Sequence, residues 1–532
     1  DLPKPSIGNV EILREPVAPF TLQKILISAA KKNKETNWIA VKNLEAVVNN
    51  INIPDDVRIL YPPFLLLDPV SQEKFLSQDS FTYDEALLAV KLLWYKPHSS
   101  GQLTLHGAEQ SVWSAKIACT DDSEAYKKQF DNLPSVILLD HRQLLSFLAD
   151  PEHTAHGTLS EKSHIIIDDA SMLEDTATRA YGWYCAIDTL RAGAKGNNEL
   201  TGFTDILSLW IERTRNSQDI RYLTTPDLTH PDAISLRDRA DDLLYQDNLS
   251  SSVKQIISHA LSILNPDNLG GRIAFIEQRF NGSLILQSVP EYLGDFLQKT
   301  LYEKFCVSLV LPQAKNTRLA EILPKNVVQS PRNISSQNCP FSINIDESNS
   351  IKEIFENPPE GKTILLATSK RSIDEAFMRH SIPMEKRGVT LICQGFSGGI
   401  NRTRAEFLES EGIVIWMLTP WAYEGVYLPE NSADRLLFTG LPFDHPSHAI
   451  LSKRAEHFRD PFNEYSLPRM LSRIFRLLRT FSFHCKKGAI AHFLDQRINT
   501  KRYGNDVKAY LNEIVSVTEE EVNDEEKQMK LL

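Results

Sequence analysis

Residues 434–504 read DRLLFTGLPFDHPSHAILSKRAEHFRDPFNEYSLPRMLSRIFRLLRTFSFHCKKGAIAHFLDQRINTKRYG, and this stretch decides the fold. It opens on an apolar run, RLLFTG (435–440), that predicts a buried strand, and it closes on the dense polar block LDQRINTKRYG (494–504). Between them, LPRMLSRIFRLLRT (467–480) spaces Arg469, Arg473 and Arg476 four and three residues apart, so they share one helical face with Arg479 beside them. Met470, Leu471, Ile474, Phe475, Leu477 and Leu478 supply an apolar remainder. Three readings are open: a solvated basic face on a packed helix, a basic strip for DNA or an acidic partner, or arginines directed at a phosphate.

Working outward, apolar strand candidates alternate with amphipathic helical stretches. The strands are SVILLD (135–140), HIIID (164–168), VSLVL (307–311), TILLAT (363–368), VTLICQ (389–394), IVIWML (413–418) and RLLFTG, and helices are clear at 17–34, 140–149 and 402–411. Short apolar runs separated by helices predict parallel sheets covered on both faces. Between about 175 and 270 the strand pattern gives way to polar helical text, which predicts a helical insertion. The Ser/Asn/Pro-rich stretch 327–342 reads as a linker between two α/β units, and the charged tail 517–532 is expected to fray.

Composition narrows the class. A chain of 532 residues exceeds one core and predicts two to four domains, and 42% hydrophobic with 24% charged residues is ordinary for a globular protein. No apolar run approaches the roughly 18 residues of a membrane span. The start, DLPKPSIGNVEILREP, lacks a signal-peptide pattern and an initiator Met; a cytoplasmic location is expected, and a fragment of a longer protein is compatible with it. Six scattered cysteines (Cys119, Cys185, Cys306, Cys339, Cys393, Cys485) show no metal-ligand spacing and predict reduced thiols. The net charge of -11 argues against indiscriminate nucleic-acid binding while leaving a local contact open.

GLPF-x-x-P (440–446), DPFNEYSLP (460–468) and LDQRI-x-TKRYG (494–504) resemble the C-terminal lobe of the DinG/XPD-like (Rad3-related) branch of superfamily 2 DNA helicases. The resemblance continues upstream in order. WAYEGVYLP (421–429) is similar to the family's FWEGVDLPG, CQGFSGGINRTRAEF (393–407) to the segment before it, and GKTILLATSKRSIDEAF (361–377) to the opening of the second lobe. HIIIDDASMLED (164–175) resembles its Walker B box, and SVILLDHRQLL (135–145) the strand before that box. The resemblance implies an α/β fold of two RecA-like parallel-sheet lobes with a helical arch-like insertion in the first. The bounds are lobe 1 at 1–175, insertion at 176–270, return to lobe 1 at 271–335, lobe 2 at 336–516 and an acidic tail at 517–532.

Nucleotide hydrolysis in such a fold needs a glycine-rich cradle of backbone N–H groups, a Lys on the phosphates and a Ser/Thr on Mg²⁺. REPVAPFTLQKILISAA (14–30) aligns with the family cradle, but Val17, Ala18, Pro19, Phe20 and Thr21 stand where the family has Gly-Thr-Gly-Lys-Thr. Pro19 removes a donor and Phe20 removes the cation, so only Thr21 survives. Asp168 could hold Mg²⁺ with Thr21, whereas Asp169 replaces the box glutamate and Ser171 its histidine. LPQAKN (311–316) keeps only Ala314 of the first lobe's Ser-Ala-Thr motif, and Tyr427 replaces an aspartate while Glu424 and Gly425 remain. In the closing motif Arg476 and Arg479 fill the finger positions, with Arg473 and Phe475 where the family has glycines. The segment 60–125, where relatives carry four cluster-binding cysteines, holds only Cys119, which implies no iron–sulfur cluster.

The remnant catalytic set is therefore Asp168, Asp169, Arg476 and Arg479, with Pro19, Phe20, Thr21, Glu424 and Gly425 as the remnant nucleotide-binding set. His141 reads as a capping residue after a strand; Trp94, Trp113, Trp416 and Trp421 are stacking candidates whose commoner fate is core packing. The expectation is a hydrolysis-deficient helicase-fold subunit without a cofactor, contacting single-stranded or forked DNA and a protein partner in DNA repair or replication. Alternatives are a divergent active helicase using Mg-ATP and a protein scaffold that binds no DNA.

Overall fold

The computed structural model describes residues 5–18, 21–31, 36–149, 159, 163–194, 196–246, 248–279, 282–314, 332–333, 338–345, 351–426 and 428–515. The first apolar runs form β1 (Val10–Glu15), β2 (Asn37–Val41), β3 (Val57–Ile59), β4 (Val136–Asp140) and β5 (His164–Ile167). An insertion follows with β6 (Trp183–Ala186), β7 (Ile220–Tyr222), β8 (Arg272–Gln278) and β9 (Leu284–Pro290), and the chain returns with β10 (Cys306–Pro312) and β11 (Arg332–Asn333). The first sheet has the order β11-β1-β10-β5-β2-β4-β3, parallel throughout.

Alternation along each strand sends side chains to opposite faces. Trp38, Ala40, Ile137, Leu139, Ile165 and Ile167 join one core, and Ile39, Val41, Val136, Leu138 and Ile166 the other. Both faces are therefore covered, which explains why these strands read as unbroken apolar runs. The second lobe repeats the scheme with β12 (Ser342–Ile345), β13 (Lys362–Leu366), β14 (Val389–Cys393), β15 (Ile413–Leu418), β16 (Ala433–Phe438) and β17 (Cys485–Phe493), all parallel in the order β12-β17-β16-β13-β15-β14. Ile364, Trp416 and Phe438 face one core; Leu365, Ile415, Met417 and Leu437 face the other. The expected α/β class with two parallel-sheet lobes is present.

The two lobes also exchange core residues. Val17 and Ala314, from the first lobe, pack in the second lobe's core, and Phe483, from the second, packs in a core of the first.

The insertion departs from the helical expectation at 176–270. It contains the helices Asn198–Arg215, Pro231–Leu244 and Ser251–Leu264, and also a four-stranded antiparallel sheet, β6-β9-β8-β7, that runs on to Pro290. Two of its strands, β6 and β7, have only four and three residues, and their partners lie beyond 270, so no strand period shows within that window.

Segment 60–125 folds as short helices, Pro69–Leu76, Tyr83–Tyr95, Gly107–Lys116 and Glu124–Lys128. Asp68 and Pro69 start the first helix, and a reciprocal Thr82/Glu85 capping box starts the second. Phe75, Leu88, Leu92, Trp113 and Ile117 form its core, with Trp113 Nε1 donating to the Phe64 carbonyl at 3.0 Å. Among the described residues no helix is long and apolar enough to cross a membrane. The tail at 517–532 and most of the linker at 327–342 lie outside the described residues.

Candidate functional site

The strands of the first sheet end at Glu15, Val41 and Ile167, and the carboxyl ends of parallel strands are where open α/β sheets place ligand sites. Facing them is helix Leu467–Ser482, started by Pro468 in its first turn. Its apolar residues enter the second lobe's core, which aims its arginines into the cleft. There the side chains of Arg469, Arg473, Arg476 and Arg479 are only 4–9% exposed. Neither a solvated basic face nor a strip available to an outside polyanion survives this, because a guanidinium buried to that degree needs internal carboxylates.

Each arginine has them. Arg479 donates through Nη2 to Asp168 Oδ1 at 2.9 Å and lies 3.4 Å from Glu15 Oε1, joining the ends of β5 and β1. Arg476 donates from Nε to Glu424 and from Nη1 to Ser171 Oγ at 2.9 Å. Ser171 in turn donates to Asp169 Oδ1 at 2.7 Å. Asp169 adopts φ 50° and ψ 52°, a left-handed conformation that Asp tolerates better than most residues, so the turn after β5 carries its carboxylate toward Ser171. His141 Nε2 contacts the Asp168 carbonyl oxygen at 2.7 Å, and Asp168 N–H donates to the Ala40 carbonyl at 2.9 Å, which fixes that turn. His141 thus supports the turn from the start of helix His141–Ala149, which follows β4; burial lowers its pKa.

Glu424 gathers charge from both lobes: Arg476 and Lys42 bond its carboxylate, and Arg473 Nε lies 3.8 Å away. Burial alone would raise this carboxyl, but Arg476, Lys42 and Arg473 hold it down at about 2. Gly425, at φ 81°, accepts from Asn43 Nδ2 at 3.5 Å and donates to Thr480 Oγ1 at 3.3 Å, so the Glu424–Gly425 turn touches the first lobe and the arginine helix together.

A second layer extends the interface. Arg469 bonds Glu174, Asp175 (2.9 Å) and Asp444 (2.9 Å), and Arg473 reaches Asp444 at 2.8 Å and the Pro442 carbonyl at 2.9 Å. Burial opposes ionisation of Asp175 and Asp444, yet these arginines keep both below the ordinary carboxylate range. Arg454, fully buried on helix Ala449–Ala455, donates to Glu174 (3.2 Å), Thr178 Oγ1 (2.8 Å) and the Pro290 carbonyl (2.7 Å). Tyr222 donates to the Ala449 carbonyl at 2.7 Å, so the second lobe is fastened to the insertion as well as to the first sheet.

What remains between these groups is a cavity of about 30 Å³ lined by Lys42, Asp168, Asp169, Glu424, Arg476, Arg479 and Thr480. That holds one or two waters, against roughly 300–1,000 Å³ for a small-molecule site. On the cradle side, Val17 and Ala18 are fully buried and Val17 N–H donates to the Ile514 carbonyl at 2.9 Å. Pro19, Phe20 and Tyr427 lie outside the described residues, as does the Thr21 side chain; Thr21 begins helix Thr21–Lys31. A larger opening of about 530 Å³ lies alongside, between the lobes, lined by Asn43, Asn49, Gln102, Gln110, Asn401 and Arg404 among others.

The cleft thus brings together Asp168, Asp169, Glu424, Gly425, Arg476 and Arg479. Sequence reasoning missed Lys42, Glu174, Asp444 and Arg454. The usable signal was electrostatic: four arginines on an otherwise apolar helix need acids, and Glu174 with Asp175 sits in the first turn of Leu173–Ala180, where carboxylates are favoured. Of the four tryptophans named as stacking candidates, Trp113 and Trp416 are core, Trp94 is exposed, and Trp421 lies under the Arg473 guanidinium at 5.0 Å.

Residues 351–514 match the helicase C-terminal domain family. The 3′-5′ exonuclease DinG of Bacillus subtilis (strain 168) is 26% identical over 242 residues, 44% of this chain and 24% of that protein, so the match spans about a quarter of the relative's length. A solved XPD helicase superposes with a TM-score of 0.57 at 13% identity, covering 94% of this chain and 95% of that one. A second solved structure, of apo XPD, gives 0.55 at 10% identity with the same coverage. At such identities the structural likeness speaks for the fold.

Proposed function

We propose that this chain, a DinG/XPD-like member of the superfamily 2 helicases, does not hydrolyse nucleotide and serves as a DNA-binding or complex-assembly subunit. One observation carries the reading: the positions that would meet a triphosphate are neutralised by the protein's own groups, Arg479 on Asp168 and Arg476 on Glu424 and Ser171, with about 30 Å³ left over. A Mg–nucleotide does not fit this arrangement. Val17 has already given its N–H to Ile514, and the Asp168 carboxylate that would hold Mg²⁺ is engaged by Arg479. An iron–sulfur cluster does not fit either, since segment 60–125 offers Cys119 alone, a thiol that burial pushes up to about 11.

The wider interlobe opening supports the DNA side of the reading. Its amide side chains and Arg404, whose pKa burial lowers, could take phosphate and sugar contacts without a broad basic field. The test pairs nucleotide turnover with anisotropy on single-stranded DNA at low salt. The expected outcome is no ATP turnover in the parent chain or in Asp168→Ala, and DNA binding weakened by Arg404→Glu. Turnover abolished by Asp168→Ala would instead establish the divergent active helicase, and absence of DNA binding at low salt would establish the protein scaffold.

A further inference from the structure

Helix Tyr83–Tyr95 is apolar on two faces, and the cleft accounts for neither. Leu88, Ala89 and Leu92 turn inward onto the core that includes Trp113. On the opposite side Tyr83, Leu87, Val90 and Trp94 follow spacings of four, three and four, a single stripe at helical period. The stripe is open: Tyr83 is 78% exposed, Val90 59% and Trp94 79%, with Leu93 (63%) on its flank.

We infer that this stripe is the interface of a twofold homodimer in which two copies of the helix pack antiparallel. A twofold interface must be complementary to itself. Antiparallel packing centred between Leu88 and Ala89 meets that condition: Tyr83 faces Trp94 of the second copy, and Leu87 faces its Val90. Charge agrees, because exposed Asp79 and half-buried Asp84 lie at one end of the helix and exposed Lys96 at the other. Antiparallel packing sets acid against lysine, whereas parallel packing would set like against like.

Area agrees too. Aromatic side chains bury about 150–250 Å² each, so the exposed parts of Tyr83 and Trp94 leave on the order of 300 Å² accessible. With Leu87, Val90 and Leu93 the patch reaches on the order of 500 Å², within the range of a monomer's largest patch. Doubled, it is about 1,000 Å², the size a specific interface has to reach. A nucleic-acid strand is the poorer occupant. Residues 69–96 carry Glu73, Asp79, Asp84 and Glu85 against Lys74, Lys91 and Lys96, Lys91 is engaged by Glu109 at 2.7 Å and Lys116 is paired with Glu85, so these residues lay no basic track beside the aromatics.

Sedimentation equilibrium of the full chain tests the proposal. The expected result is a mass approaching twice the monomer at high concentration and falling on dilution, with Leu87→Glu/Val90→Glu monomeric throughout and unchanged in circular dichroism and melting. Orientation is read by cross-linking. Tyr83→Cys mixed with Trp94→Cys gives a disulfide-linked dimer under mild oxidation, while either alone does not, since its two thiols lie roughly 16 Å apart along the helix axis. A monomer at every concentration, a dimer indifferent to Leu87→Glu/Val90→Glu, or cross-linking as efficient within Tyr83→Cys alone would overturn it. So would a monomer whose affinity for single-stranded DNA falls in the same double variant.

Discussion

Glu424→Gln tests the closed cleft most directly. The change keeps shape and one hydrogen-bonding oxygen while removing the charge that faces Lys42, Arg473 and Arg476 on a side chain 6% exposed. The gap between a folded pKa of about 2 and the ordinary 4.5 corresponds to on the order of 3 kcal/mol of stabilisation at neutral pH. Removing one partner of a buried pair costs about 3–5 kcal/mol, mostly because the remaining charge is left uncompensated. Urea unfolding followed by tryptophan fluorescence should therefore show Glu424→Gln losing about 3–5 kcal/mol. Arg476→Gln should lose a comparable amount, and the double variant clearly less than the two together, since each single change orphans the other partner. A loss below about 1 kcal/mol, the range of solvated surface pairs, would refute the reasoning: Glu424 would then be hydrated and the cleft open.

Two further expectations follow from the same interface. Glu424 is a depressed carboxyl, so its stabilisation is complete above the unfolded value of 4.5 and drains as pH falls toward about 2, and Asp175 and Asp444, also depressed, lose theirs as pH falls below their unfolded value of 3.8; the urea midpoint should drop as pH falls through this range, and less steeply in Glu424→Gln. Arg454→Met should weaken the hold of the second lobe on the insertion by about 1–3 kcal/mol, as befits lost charged hydrogen bonds with Arg469 and Tyr465 still on Glu174. Hydrogen exchange should quicken at β8 and β9 ahead of β2 and β4, and uniform exchange across the four strands would count against that role.

The parallel strands were legible because burial on both faces writes itself as a run. SVILLD became β4, IVIWML became β15, and HIIID lost only its final aspartate from β5. The insertion's sheet was not legible, because strands of three and four residues such as β6 and β7 show too little alternation to register. The arginine helix was legible, but its solvent relation stayed open. Spacing fixes which arginines share a face, whereas whether that face meets water depends on Glu174, Asp175, Asp168 and Glu15 in the other lobe. Lys42 was invisible for a similar reason: it directly follows β2, and only the approach of Glu424 from the second lobe gives it a role.

The hydrogen bond from Val17 to Ile514 has a consequence for how the chain comes to be folded. Val17, just after the first strand, bonds a carbonyl near the end of helix Gly504–Val515, the last among the described residues, and the strand itself pairs with β10 only after the whole insertion has been made. During synthesis β1 therefore waits with unpaired edges until β10 and β11 have been made, and the residues after it wait longer still, for Ile514. Contacts of such separation fold slowly and leave strand edges exposed meanwhile. Yield of native protein should depend on chaperone supply and temperature of expression more than the stability of the finished molecule would suggest.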